Sequence, residues 1–230
     1  MLIALANEDG SFTCTLFMPH EGGENSFAAL TSRDKVESFF KTVFPDFFEM
    51  MPNIADAWED HPLASLAIMR SEPWHSGKVA LMGDSAHATV PFYGQGMNSG
   101  MEDCSVLSEL MDEMSGASDW SNVLEQYSAA RKPSGDAILE LALRNYIEMR
   151  DKTGDPRFLL RKKIEAQMAV HYPGRWLPLY SQVTFSHTPY EQALAAGKRQ
   201  DDIMESILDR PGLSENWNTP ALFEEIIQRW

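Results

Sequence analysis

KVALMGDSAHATVPFYGQGMNSGMED, residues 78–103, carries three local signals in succession. Val79–Met82 is a short apolar run that reads as a buried strand, ended by Gly83-Asp84. A loop with Pro91, Gly94 and Gly96 follows. A helix then opens near Ser99, where Ser99 and Glu102 have capping-box spacing and Asn98 is an alternative cap. Met101, Cys104, Leu107, Leu110, Met111 and Met114 recur at helical spacing and are expected to form its buried face. Strand, glycine loop and helix N-terminus together offer backbone N–H groups and a positive dipole end to an anion. Asp84 stands where the strand ends, and an ionised carboxylate there accepts hydrogen bonds from a ligand hydroxyl or from backbone donors. The same residues also suit a plain βα turn in which Asp84 caps and the glycines bend the chain.

The longer string GDSAHATVPFYGQGMNSGMEDC is more specific than its parts, and it resembles the second flavin-binding motif of the FAD-dependent aromatic hydroxylases. Within that family it is most similar to the members that hydroxylate kynurenine. The resemblance extends to SFTCTLFMP before the motif and to NYIEMR and PLYSQVTFS after it, over roughly residues 1–190. The last forty or so residues show no such counterpart. The resemblance implies FAD contacts at Gly83, Asp84, Pro91, Gly94, Gln95, Gly96, Met97 and Asn98. It also implies a substrate pocket that includes Phe92, Asn145 and Tyr180, with L-kynurenine as substrate and NADPH as co-substrate. No side chain is then needed as nucleophile, acid or base, because the flavin carries the chemistry.

Working outward, 230 residues suffice for one large domain or two small ones, and an apolar fraction of 43% is that of a globular chain. A net charge of −15 argues against nucleic acid or an anionic membrane as partner. No apolar run approaches the length of a membrane span, and Met1–Ala6 lacks the basic flank of a signal peptide. Cys14 and Cys104 read as reduced core thiols, and the whole composition as cytoplasmic. The six histidines are scattered without metal-ligand spacing, so no metal site is expected. His87, inside the loop, is expected to hold it by hydrogen bonds.

Leu2–Ala6 and Ser11–Met18 read as a hairpin about Asn7-Glu8-Asp9-Gly10. Thr31 or Ser32 caps a helix carrying Val36, Phe39, Phe40 and Val43, which Pro45 stops, and Phe47–Met51 is a second short helix. Pro62–Arg70 reads as a strand and Glu72–Gly77 as a turn. Asp119–Arg131 is an amphipathic helix interrupted at Pro133, and a separate helix over about Ser134–Asp151 carries Asn145 in the middle of an apolar stripe. A buried amide needs partners, so Asn145 is either a core residue bonded to backbone or a pocket residue. Arg157–His171 is a helix with Leu160, Ile164 and Met168 inward and Arg161, Lys162 and Lys163 as a solvated edge. Leu177–Phe185 reads as extended, with Tyr180 either an ordinary strand-edge tyrosine or a pocket residue. Tyr190–Leu208 is a polar helix, and Thr219-Pro220 opens a last one with Leu222, Phe223, Ile226, Ile227 and Trp230 on one side, to pack back on the domain or to meet a partner.

The expected class is α+β: an antiparallel substrate-domain sheet, part of a Rossmann-like FAD domain, and a helical C-terminal region. The expected divisions are 1–76, 77–116 and 117–230. No G-x-G-x-x-G follows a strand, so the N-terminal dinucleotide-binding βαβ unit is expected to be missing and the chain to resemble a C-terminal half. Another aromatic-ring hydroxylase, or a silent subunit of a split enzyme, are the alternative functions.

Overall fold

The computed structural model describes residues 1–61, 63–114 and 119–230, and it divides into two units, Met1–Ser65 and Leu66–Trp230. In the first, β1 (Leu2–Ala6) and β2 (Phe12–Leu16) pair antiparallel with Leu2 opposite Leu16 and Ala6 opposite Phe12. Asn7 and Ser11 close the turn through a 2.8 Å backbone bond. A 3-10 turn at Phe27–Ala29 leads to α1 (Arg33–Val43), α2 (Pro45–Met50) and α3 (Ile54–Trp58). Ser32 caps α1 by accepting from the Lys35 N–H, and Pro45 both stops α1 and opens α2 at its first position. Val36, Phe39 and Phe40 are buried with Leu30 and Ile54, and Leu16, Met18, Phe44 and Phe47 pack against them. Val43 stays exposed, and so does Cys14, which is free but not a core thiol.

The second unit is mostly helical. Its ordered strands are β3 (His75–Ser76) and β4 (Val79–Ala80), an antiparallel pair of two residues each. The buried strand expected over Val79–Met82 is therefore shorter, and Val79 is exposed. Met82 and Gly83 leave the ladder because their N–H groups turn to Ser85 Oγ (3.1 Å) and Asp103 Oδ2 (2.9 Å). The strand expected over 62–70 does not form: Pro62 lies outside the described residues, and 63–70 are irregular. Met69 and Ser71 instead donate singly to the carbonyls of Ala88 and Ala86. The expected 116/117 division also falls outside the described residues.

The helices of this unit are α4 (Asp84–His87), α5 (Gly96–Glu113), α6 (Trp120–Ile147), α7 (Pro156–His171), α8 (Leu179–Phe185), α9 (Tyr190–Leu208), α10 (Leu213–Asn216) and α11 (Pro220–Arg229). A π-helical turn, Glu148–Lys152, follows α6. Pro133 does not interrupt α6. A proline in a helix interior costs about 3 kcal/mol, but Arg131, Ser134, Gly135, Ala137 and Ile138 are all buried around it, so packing on both sides carries the helix through. Leu179–Phe185 is helical rather than extended. Pro178 caps it by accepting from the Gln182 N–H, and Gln182 and Val183 turn inward.

The largest core joins α7, α9 and α11 through Ile164, Met168, Ile203, Met204, Ile207, Phe223 and Ile226, with Trp176 beside them. The helix at 190–208 is thus not simply polar, since it buries Met204 and Ile207 completely. Arg161 is no solvated edge either: its guanidinium meets Glu165 (2.7 Å) and Asp201 (2.6 Å), and Asp201 also pairs with Arg144. Burial alone would lower the Arg161 pKa, but these carboxylates override it and raise it. Met204→Ala should lower the free energy of unfolding by about 2–5 kcal/mol, whereas Met50→Ala, on an exposed side chain, should stay within about 0.5 kcal/mol. Urea unfolding of both variants checks this; equal losses would contradict the placement of the core.

Candidate functional site

Gly83 opens the site. Its φ of +55° is a conformation other residues rarely adopt, and the Gly100 backbone of α5 passes close by. Behind this turn the Asp103 carboxylate is fully buried and completely used. Oδ2 accepts from the Gly83 N–H (2.9 Å) and lies 2.7 Å from His87 Nε2, while Oδ1 accepts from Arg131 Nε (2.8 Å). Arg131 also pairs with Glu102 (3.0 Å) and donates to the Ser99 carbonyl (3.4 Å). Tyr127 of α6 donates to the Leu81 carbonyl at 3.2 Å, and Trp74 stacks on His87 with 5.1 Å between ring centres. That stack needs Gly135, because a Cβ there would sit 2.3 Å from the Trp74 ring. His87 accordingly holds the loop by a hydrogen bond, as the sequence suggests.

In front of the turn the chemistry is open. Asp84 is exposed, and its carboxylate takes no donor from the described residues. Gly94 donates to the Pro91 carbonyl in a tight turn, which delivers the chain to Gln95 at the start of α5. The helix begins at Gly96, three residues before the expected capping box, and Gln95 stands at its cap position without accepting from a backbone N–H of the first turn. The N–H groups of Gly96, Met97 and Asn98 find no acceptor among the described residues. Gln95 itself is buried: its Oε1 accepts from Asn98 Nδ2 (2.9 Å) and from the Tyr190 hydroxyl (3.1 Å). Its side chain shapes the loop from within.

The buried face of α5 differs from expectation. Ser99 and Asp103 face inward with Leu107 and Leu110 half-buried, while Met97, Met101, Cys104 and Met111 are exposed. The cause is the Asp103 network, since a carboxylate bound to Arg131 turns its helical face toward α6.

Beside the loop, Asn145 Nδ2 donates to the Phe92 carbonyl at 2.8 Å, and the Phe92 ring stacks on Tyr146 at 4.6 Å. Tyr93 stacks on Tyr180 at 5.5 Å. The two residues singled out in sequence, Asn145 and Tyr180, thus meet consecutive residues of the same loop. Burial raises the Tyr93 phenol pKa, and Glu148 adds to the rise. Asp103, Arg131, Trp74 and Tyr190 were not foreseen; the one available signal was that Asp103 lies four residues after Ser99 on one helical face.

With this geometry in place, residues 48–142 match the family described as FAD binding domain. Kynurenine 3-monooxygenase of Flavobacterium psychrophilum is 51% identical over 229 residues, 99% of this chain and 51% of that protein. The enzyme of the same name from Flavobacterium johnsoniae is 50% identical over 99% of this chain and 51% of its own length. That from Dictyostelium discoideum is 42% identical over 90% and 47%. Along almost its whole length the chain is thus similar to part of these kynurenine 3-monooxygenases. It spans about half the length of the curated relatives it matches. The similarity continues past residue 190, so the C-terminal helices do have counterparts, contrary to the sequence reading. Among the described residues no helix is long and apolar enough to cross a membrane.

Burial works to raise the Asp103 pKa, but hydrogen bonds from His87, Arg131 and Gly83 outweigh it and hold the carboxyl below its ordinary value. A depressed native pKa gives stability that is full above the unfolded value, ~pH 4, and is lost as pH falls through the lower native one. The stability gap between parent and Asp103→Asn should therefore be widest above ~pH 4 and shrink below it, as read by urea unfolding across pH. A gap that stays constant into strong acid would contradict the assignment.

Proposed function

We propose that the turn at Gly83-Asp84 and the N-terminus of α5 form one half of an FAD site. On this reading the chain serves the hydroxylation of L-kynurenine to 3-hydroxykynurenine with NADPH and O₂. The observation that carries the reading is the pairing of a free Asp84 carboxylate with three unaccepted N–H groups at Gly96–Asn98, in a chain homologous to kynurenine 3-monooxygenases. Asp84 suits the ribityl hydroxyls, which donate hydrogen bonds. The N–H groups suit negative charge at the edge of a reduced flavin ring, where preorganised donors act at no reorganisation cost. Pro91, Gly94 and Met97 are exposed and would lie against the ring.

Bound FAD would supply the redox chemistry, taking electrons from NADPH and activating O₂. The protein's share is orientation and exclusion of water. Asn145 spends its NH₂ group on the Phe92 carbonyl, while its Oδ1 accepts from no described residue and is free to receive an ammonium group of the substrate. Tyr180 offers a half-exposed hydroxyl on a ring held by Tyr93. Phe92, stacked on Tyr146, provides an aromatic wall. The adenosine end of FAD would fall to a dinucleotide-binding βαβ unit, supplied by the half of its relatives that this chain does not span.

Co-expressing residues 1–230 with the complementary half of a relative should give a complex that binds FAD and oxidises NADPH faster when kynurenine is added. In that complex Asp84→Ala should lose flavin. Asn145→Ala should keep flavin and weaken kynurenine binding by about 1–3 kcal/mol. A complex without flavin, or equal flavin loss in both variants, would overturn the reading.

A further inference from the structure

We propose that Asp103 is a positioning residue for the flavin-facing surface, joining the Gly83-Asp84 turn and the N-terminus of α5 into one rigid frame. This rests on the FAD reading above. The geometry is specific. Asp103 sits on α5, yet its Oδ2 receives the N–H of Gly83, the residue immediately before the free carboxylate of Asp84. The same oxygen receives His87 at the end of α4, and Oδ1 receives Arg131 from α6. Three donors, two from the Gly83–His87 turn and one from α6, therefore converge on one buried carboxylate. The Gly83 bond thus ties the turn that carries Asp84 to α5.

His87 also has a defined tautomer. An ionised carboxylate only accepts, so Nε2 carries the proton, while Nδ1 is buried and unpartnered. Asparagine at 103 preserves the shape of the side chain but not its function. With its NH₂ at the Oδ2 position it faces the Gly83 N–H; flipped, it faces Arg131 Nε. One donor is opposed by a donor either way.

Two arms test this. In the 230-residue chain, nitrogen NMR should show His87 protonated at Nε2, and the Gly83 amide should exchange slowly. In Asp103→Leu, which offers Gly83 no acceptor in any orientation, the Gly83 amide should lose most of that protection. In the complemented complex, Asp103→Asn should bind FAD at least ~10-fold more weakly and shift the visible flavin band. Because Asp103→Asn could fail to fold, His87 supplies a second pair: both His87→Met and His87→Gln lose the Trp74 stack, but only glutamine keeps a donor for Asp103. His87→Gln should therefore retain tighter flavin binding and a more parent-like band than His87→Met. Unchanged Gly83 protection in a folded Asp103→Leu, or equal flavin binding in the two His87 variants, would overturn the proposal. A parent complex that binds no FAD would instead strike the functional reading, with the first arm still deciding whether Asp103 holds the turn.

Discussion

The buried pairing of Asp103 with Arg131 and His87 is the interaction on which the arrangement of the second unit turns. Removing one partner of such a pair strands a charge and costs about 3–5 kcal/mol, so the helices that supply the partners are constrained together. Arg131 comes from the middle of α6, which explains why α6 passes Pro133 without breaking: the buried guanidinium lies just before the proline and Ser134 and Gly135 just after. Trp74 fills the space over Gly135 and lies flat on His87. Four segments distant in sequence thus share one polar centre, and the turn carrying Asp84 is fastened to it through a single N–H.

From that centre the division of labour follows. Behind the turn both oxygens of Asp103 are satisfied; in front, Asp84 and the N–H groups of Gly96–Asn98 have no partner among the described residues. An open carboxylate and the open first turn of a helix are the groups that the proposed ligand, with both hydroxyl and anionic character, would use. The neighbouring ring pairs, Phe92 with Tyr146 and Tyr93 with Tyr180, fix the loop that borders it.

Much of this was readable in the residues. The β1–β2 hairpin, α1, α7 and α11 follow from apolar periodicity with local stop and start signals, such as Ser32, Pro45 and Thr219-Pro220, whereas α9 was legible in extent but not in its buried face. Where tertiary partners decide, periodicity misled. Six apolar residues pointed to one face of α5, but Asp103 turned another face inward, and its partners His87 and Arg131 lie 16 and 28 residues away. A hydrophobic pattern carries no record of so remote a pairing. Pro133 and the β-branched Val183 and Thr184 gave correct local preferences that packing overrode. Of the candidate site, the backbone positions were legible from the motif, whereas the inward role of Gln95 depends on Tyr190, 95 residues further on.

The most direct measurement is amide hydrogen exchange at Gly96, Met97 and Asn98 in the complemented complex, with and without FAD. The account requires these three N–H groups to slow markedly when FAD binds, together with the Gly83-Asp84 turn. Bound FAD that leaves Gly96–Asn98 exchanging as fast as before would contradict it.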